Sequence, residues 1–210
     1  MEEAPRVAHQ QAVTPAIVLA AGKSSRMGRP KALLPIGNSG ETFLTHIVGE
    51  LRAGGIDRVI VVIGGHAAEV RASLPSDDSS LTIVENPLFE QGQLTSLLAG
   101  INAADRPDVD AVMMTLVDLP LVRAATVRAL LDAQHRAPDV PLIRPRRGNR
   151  HGHPVIFHRR LFEELRSADP STGAKPVVRA HAAAEVSVDV TDDGPFTDVD
   201  TPDDYARLID

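Results

Sequence analysis

The sequence predicts an α/β fold with a mostly parallel central sheet, on three observations. Short apolar runs alternate with stretches of helical period, the pattern of strand–crossover–strand units. The strands are apolar almost end to end, as expected where helices cover both sheet faces. Hydrophobic residues make up 43% of the 210 residues and aromatics only 3%, so Ala, Val, Leu and Ile must fill the core. Successive parallel strands require right-handed crossovers.

The elements follow in order. "PAIVLA" (15–20) is bounded by Pro15 and the Gly22 loop and reads as a buried strand. In "ETFLTHIVGELRAGG", Phe43, Leu44, Ile47, Val48 and Leu51 fall on one helical face, and Gly54-Gly55 stops the helix. "RVIVVIGG" (58–65) is a second buried strand, "HAAEVRASL" a short helix and "LTIVENP" (81–87) a third strand. Leu94, Leu97, Leu98 and Ile101 keep the i, i+3, i+4, i+7 spacing of an amphipathic helix. "DAVMMTLVD" (110–118) is a fourth strand, backed by a helix in "VRALLDAQHR". The core runs through about residue 137. Beyond it, "PLIRP" and "HPVIF" flank the polar turn "RRGNRHG" like a hairpin, "RRLFEELR" reads as a helix and "AEVSVDV" as a strand. A final helix is capped by Thr201, with Pro202 at N1 and Asp204 at N3. This second part is expected to carry a lid-like substrate region.

Bulk properties exclude several functions. Net charge is −6 and the sequence pI about 5.7, the wrong sign for a generic nucleic-acid binder, which would also want stacking aromatics. With no cysteine there is no disulfide scaffold, Cys-ligated zinc, iron–sulfur cluster or Cys nucleophile. No run is long and apolar enough to span a bilayer. The opening "MEEAPRVAHQQAVT" has early acids and no apolar h-region, so residues 1–14 are expected to be a flexible tail and the protein cytoplasmic.

Four segments carry chemistry. The first is "LAAGKSSRMGRPKALLPIG" (19–37), a basic loop after a strand. It is neither a Walker A loop, which needs Gly-Lys-[Ser/Thr], nor a GxGxxG fingerprint. It offers backbone N–H groups around Gly22, Ser24 and Ser25, with Arg26 and Lys31 beside them, a combination able to cradle a triphosphate. A solvated basic loop is the alternative. The second is Asp118, at the carboxyl end of a central strand, where open α/β sheets bind ligands. It suits Mg²⁺ beside a triphosphate, or a plain turn before Pro120. The third is Asp198 and Asp200, two apart in an extended segment and so on one face. They can complete a metal site, or Asp200 can simply favour the following helix N-terminus. The fourth is "RPRRGNRHGHP" (144–154), whose four arginines and two histidines fit an anionic second substrate or a surface basic turn. His46, His66 and His135 fall on helical stretches and read as surface or packing residues.

Taken together, "LAAGKSSRMGRPK", "NPLFEQGQLTSLLAGI", "VDLP", "GHPVIF" and "DVDTPDDY" resemble the MobA-like nucleotidyltransferases, with the molybdenum cofactor cytidylyltransferases the nearest branch. The segments occur in the family's order and span nearly the whole chain from Ala16. The resemblance implies a Rossmann-like three-layer nucleotidyltransferase fold as one domain over 15–210. Residues 15–137 would bind nucleotide, and 138–210 would bind acceptor and complete the metal site. It implies Mg²⁺-dependent transfer of CMP from CTP to molybdopterin. Leu19, Ala20, Ala21 and Gly22 would meet base and phosphates, with Ser24 nearby, and Arg26 and Lys31 would hold the triphosphate. Asn86, Gln91, Gly92 and Ser96 lie in the second nucleotide-binding segment. Asp118 would be the main metal ligand and Asp200 the second, with Asp198 its rival. Arg147, Arg150 and His153 would face the acceptor. "LAAG" rather than "LAGG" resembles the cytidylyl branch, whereas "VDLP" departs from its usual "DQP" at Leu119. Two alternatives stand: the same transfer with GTP or to a phosphorylated sugar, polyol or phospholactate, and a catalytically silent cofactor chaperone serving a molybdoenzyme partner.

Overall fold

The computed structural model describes residues 13–38 and 40–209. Four parallel strands form the first part of the sheet: β1 (Ala16–Ala20), β2 (Val59–Ile63), β3 (Leu81–Glu85) and β4 (Ala111–Leu116). β5 (Leu142–Arg147), β6 (Arg150–His151), β7 (Val155–His158) and β8 (Val186–Asp189) extend it. The order is β3-β2-β1-β4-β7-β5-β6, with β8 also on β5. β7 runs antiparallel to β4 and β5, while β8 is parallel to β5. The strand order therefore turns back at β1, leaving a crevice between the carboxyl ends of β1 and β4.

Each strand alternates its side chains between two cores, as the period of two requires. Ala16, Val18, Ala20, Val59, Val61 and Met113 pack under α1 (Phe43–Ala53) and α4 (Ala124–Arg136). Ile17, Leu19, Ile60, Val62 and Met114 pack under α3 (Gln93–Ala104) and α5 (Phe162–Ser167). Short α2 (Ala67–Ala72) joins the first core through Val70, and α6 (Lys175–Ala180) the second through Val177. The chain thus forms helix, sheet and helix layers, as expected. The five residues assigned to one face of α1 are all buried. α1 starts on a Thr42–Thr45 capping box and stops before Gly55, whose φ of +108° few other residues adopt.

Two expectations change. β3 is only half-buried, because it lies at the sheet edge and one flank has no neighbour. Helix α6 was not anticipated, since its six residues, KPVVRA, are too few to show a helical period. The expected hairpin stands: β5 pairs antiparallel with β7 (Leu142↔Phe157, Ile143↔Ile156) and, nearer the turn, with β6 (Arg146↔His151), while β7 pairs β4 on its other side. Of the tail expected at 1–14, residues 1–12 lie outside the described residues. Residues 13–14 belong to the fold: Val13 N–H donates to the Asp108 carbonyl (2.9 Å) and the Thr14 hydroxyl bonds Gln134 (3.0 Å). Among the described residues no helix is long and apolar enough to cross a membrane.

Candidate functional site

The crevice between β1 and β4 holds a cavity of about 290 Å³ lined by Leu19, Ala20, Ala21, Gly22, Ser24 and Arg26 on one side and Asp118 and Asp200 on the other. Its basic wall is shaped by Ser24, which takes φ +51°, a strained value for a residue with a Cβ. The Ser24 carbonyl accepts from the N–H groups of Met27 (3.0 Å) and Gly28 (3.1 Å), and its hydroxyl accepts from Lys31 N–H (3.1 Å). One serine thus winds the loop and sets the start of the Lys31 turn. The loop's entry is fixed from β2, where Gly65 N–H donates to the Ala21 carbonyl at 3.0 Å.

The acidic wall joins residues far apart in sequence. Asp118 follows β4, and its carbonyl accepts from Val199 N–H (2.8 Å). That bond lays the extended 198–200 segment alongside Asp118. Val199 anchors it from below, buried with Met27, Leu34 and Phe43. Asp200 N–H donates to Asp204 (3.1 Å) at the head of α7 (Pro202–Ile209), and Thr201 and Asp204 exchange the expected capping bonds.

Lys31 links the two walls. Its side chain is only 10% exposed, and its ammonium bonds Asp118 Oδ2 (3.2 Å) and forms an ion pair with Asp200 Oδ1. Arg26 pairs with Asp200 Oδ2 at 2.8 Å but is largely exposed. The Lys31 hydrogen bond holds the Asp200 carboxyl below its ordinary range, Arg26 adding to it. Asp198 moves the other way: partial burial raises its carboxyl first, and the Asp118 and Asp200 charges add to the rise. Asp200 lines the cavity and Asp198 does not.

The donor set suits a hard divalent cation in part. Asp118 Oδ1 is buried without a hydrogen-bond partner, and Asp118 and Asp200 offer carboxylate oxygens. Among the described residues no group of three or more His, Cys, Asp or Glu side chains is placed to hold a metal. The three-aspartate set is therefore not preformed, and a cation here needs oxygens from substrate or water.

The remaining expected residues are divided. Ser96 lines the cavity, whereas Asn86 is a buried hub: its amide donates to Thr95 and Ser96 hydroxyls (both 2.9 Å) and its Oδ1 accepts from Leu88 N–H (2.9 Å). Those bonds brace the segment. Gln91 lies outside the lining, and Gln93, just past the turn at Gly92 (φ +118°), is part of it. His66, read from the sequence as a surface or packing residue, and Phe89, which lies inside the "NPLFEQGQ" motif but was given no role, also line the cavity.

A second cavity of about 640 Å³ lies against β4 and β7 and shares Gln93 with the first. His153 and Gly92 line it, while Arg147 and Arg150 do not. Arg147 pairs with Asp193, and Arg150 donates to the Phe196 carbonyl (2.9 Å) and lies over its ring. His153 is enclosed with its Nδ1 unpartnered, and burial lowers its pKa while the Asp118 charge opposes the drop.

Comparison with known proteins places this geometry among relatives. The MobA-like NTP transferase domain matches residues 16–186. A Rhodopirellula baltica protein named probable molybdenum cofactor guanylyltransferase is 28% identical over 180 residues, covering 78% of this chain and 83% of that one. The crystal structure of Rv0371c from Mycobacterium tuberculosis H37Rv is 33% identical, with TM-score 0.77 over 94% of this chain and 98% of that chain. A second structure of that protein, in complex with manganese, is 32% identical with TM-score 0.73 and the same coverage.

Proposed function

Because the chain belongs to the MobA-like NTP transferase family and is a nucleotidyltransferase, we propose that it transfers CMP from CTP to the terminal phosphate of molybdopterin in the cytoplasm. The observation that supports this best is Lys31 held between Asp118 and Asp200 at the carboxyl edge of β1 and β4, opposite the basic Gly22 loop.

In this reading an oxygen of the acceptor phosphate attacks the α-phosphorus of the NTP in line. A new P–O–P bond forms, the α–β bridging P–O bond breaks and pyrophosphate leaves with its electron pair. Such a reaction needs positioning and charge stabilisation more than covalent help. The backbone of Leu19, Ala20, Ala21 and Gly22, with Ser24, meets the base and phosphates. Lys31, released from the two carboxylates, holds the triphosphate as a compact charge, and Arg26 assists from the rim. Asp118 and Asp200 are the residues that would hold Mg²⁺, which supplies charge neutralisation at phosphate oxygens when bound. Asp198 stays outside the cavity as a neighbouring charge. Ser96, Gly92 and Gln93 form the far wall, and His153 marks the acceptor side.

Base preference rests on Ala21. Its methyl is buried and packs against Gly64, where an added Cβ would come within 2.9 Å of it. In this reading a methyl at position 21, where a glycine would leave more room, favours a pyrimidine over a bulkier purine. The name of the Rhodopirellula baltica relative favours a second reading, the same transfer with GTP. Pyrophosphate release measured with each of four NTPs, against molybdopterin and a panel of phosphorylated sugars, polyols and phospholactate, separates these. CTP with molybdopterin should give the highest kcat/KM; preference for GTP or for another acceptor overturns that part of the reading.

A further inference from the structure

We propose that the acceptor of this transferase carries a second anionic group besides its reactive phosphate, and that Lys175 and Arg179 on α6 bind it. The inference rests on the nucleotidyl-transfer reading of the neighbouring crevice. Lys175 and Arg179 are one helical turn apart, so both lie on one face of α6, and both line the 640 Å³ cavity. Both are exposed, and among the described residues neither side chain has a hydrogen-bond or ion-pair partner. Nearby arginines differ. Arg144, in the same cavity wall, is neutralised by Glu185 at 2.7 Å, Arg146 bonds Asp189 and Arg166 bonds Asp105.

In a chain of net charge −6, two adjacent cations at i and i+4 of one helix face repel each other weakly, and an anion bound between them removes that repulsion. The cavity supplies the place for that anion. Its volume exceeds what one phosphate needs, and Gln93 joins it to the crevice where the α-phosphorus would lie. The loop before α6 packs closely on the nucleotide segment, since a Cβ on Gly92 would sit 2.7 Å from the Pro170 carbonyl. The cations thus start from a loop that adjoins the crevice. The His153 Nδ1, buried and unpartnered, is a further polar group in the same wall. A small acceptor with one phosphate and a neutral body leaves Lys175 and Arg179 unused; one bearing a carboxylate, a second phosphate or a dithiolate engages them.

The test uses the full chain and two matched probes in calorimetric titrations: 3-phosphoglycerate, with a phosphate and a carboxylate, and glycerol 3-phosphate, with the phosphate alone. The wild type should bind the first about tenfold or more tightly than the second. Lys175→Ala/Arg179→Ala should erase that preference while the glycerol 3-phosphate and CTP affinities stay within about twofold. The single variants Lys175→Gln and Arg179→Gln, each losing part of the preference, guard against misfolding of the double variant. Equal affinity of the wild type for both probes, binding of neither, or a preference that survives in the double variant overturns the proposal. Failure of CTP to bind, with the preference intact, refutes the nucleotidyl-transfer reading and leaves the anion site standing.

Discussion

Replacing Lys31 by Met keeps most of the stem and removes the charge that joins the two carboxylates. At 3.2 Å, the Lys31–Asp118 attraction is about 5 kcal/mol for an effective dielectric constant of about 20. The cost of withdrawing a nearly buried ammonium from water offsets much of that, so the net stabilisation is about 1–3 kcal/mol. For a chain of this size, that lowers Tm by roughly 2–10 °C. Catalysis should suffer more, by about 10²- to 10³-fold in kcat, the usual loss when one donor to developing charge is removed. The pH dependence should change as well. Asp200 has a depressed folded pKa, so its contribution is present above the unfolded value of 3.8 and is lost as pH falls through the folded one. Without Lys31 that depression largely disappears, and the Tm curves of variant and wild type should converge in acid. Calorimetry from pH 7 down to about 3, with pyrophosphate release at neutral pH, reads all three effects. A variant with unchanged Tm and a rate within about threefold of wild type refutes the reasoning.

Other outcomes follow from the same geometry. Asp118→Asn should lower turnover by about a hundredfold or more and flatten its dependence on Mg²⁺; an unchanged Mg²⁺ titration contradicts the assignment. Ala21→Gly should shift the kcat/KM ratio from CTP towards GTP. Gly100→Ala would place a Cβ 2.4 Å from Ile17 Cγ2, and overpacking of about 1–3 kcal/mol exceeds a helix-propensity gain of about 1, so the urea midpoint should fall. Asp204, whose bonds from Thr201 hold its carboxyl at about 2, adds stability present above 3.8 and lost between there and about pH 2. Asp204→Asn should flatten that part of the acid-denaturation profile.

The alternation of apolar strands and amphipathic helices was legible because one layer of helices covers each sheet face. Ala16, Val18 and Ala20 serve one core and Ile17 and Leu19 the other, so a strand buried on both sides reads as an unbroken apolar run. The cleft was legible where residues belong to continuous motifs: Leu19 to Lys31, Asp118 and Asp200. Long-range pairing was not. Nothing local shows that β7 inserts between β4 and β5, and that insertion decides which basic residues reach the second cavity. Arg147 and Arg150 are tied to Asp193 and Phe196, and the cavity instead takes Lys175 and Arg179 from a helix too short to show a period. Asn86 and Gln91 both lie in a matching motif, but the structure gives the Asn86 amide internal bonds and leaves Gln91 out of the cavity lining, which no local pattern shows.

The central claim is that Asp118 and Asp200 hold the divalent cation beside the triphosphate at the β1–β4 crevice. A crystal grown with CTP and Mn²⁺ and measured at the manganese absorption edge tests it most directly. An anomalous peak is expected within coordination distance of Asp118 and Asp200, with the Lys31 ammonium moved onto phosphate. A peak that touches neither carboxylate, with Lys31 still bridging them, contradicts it.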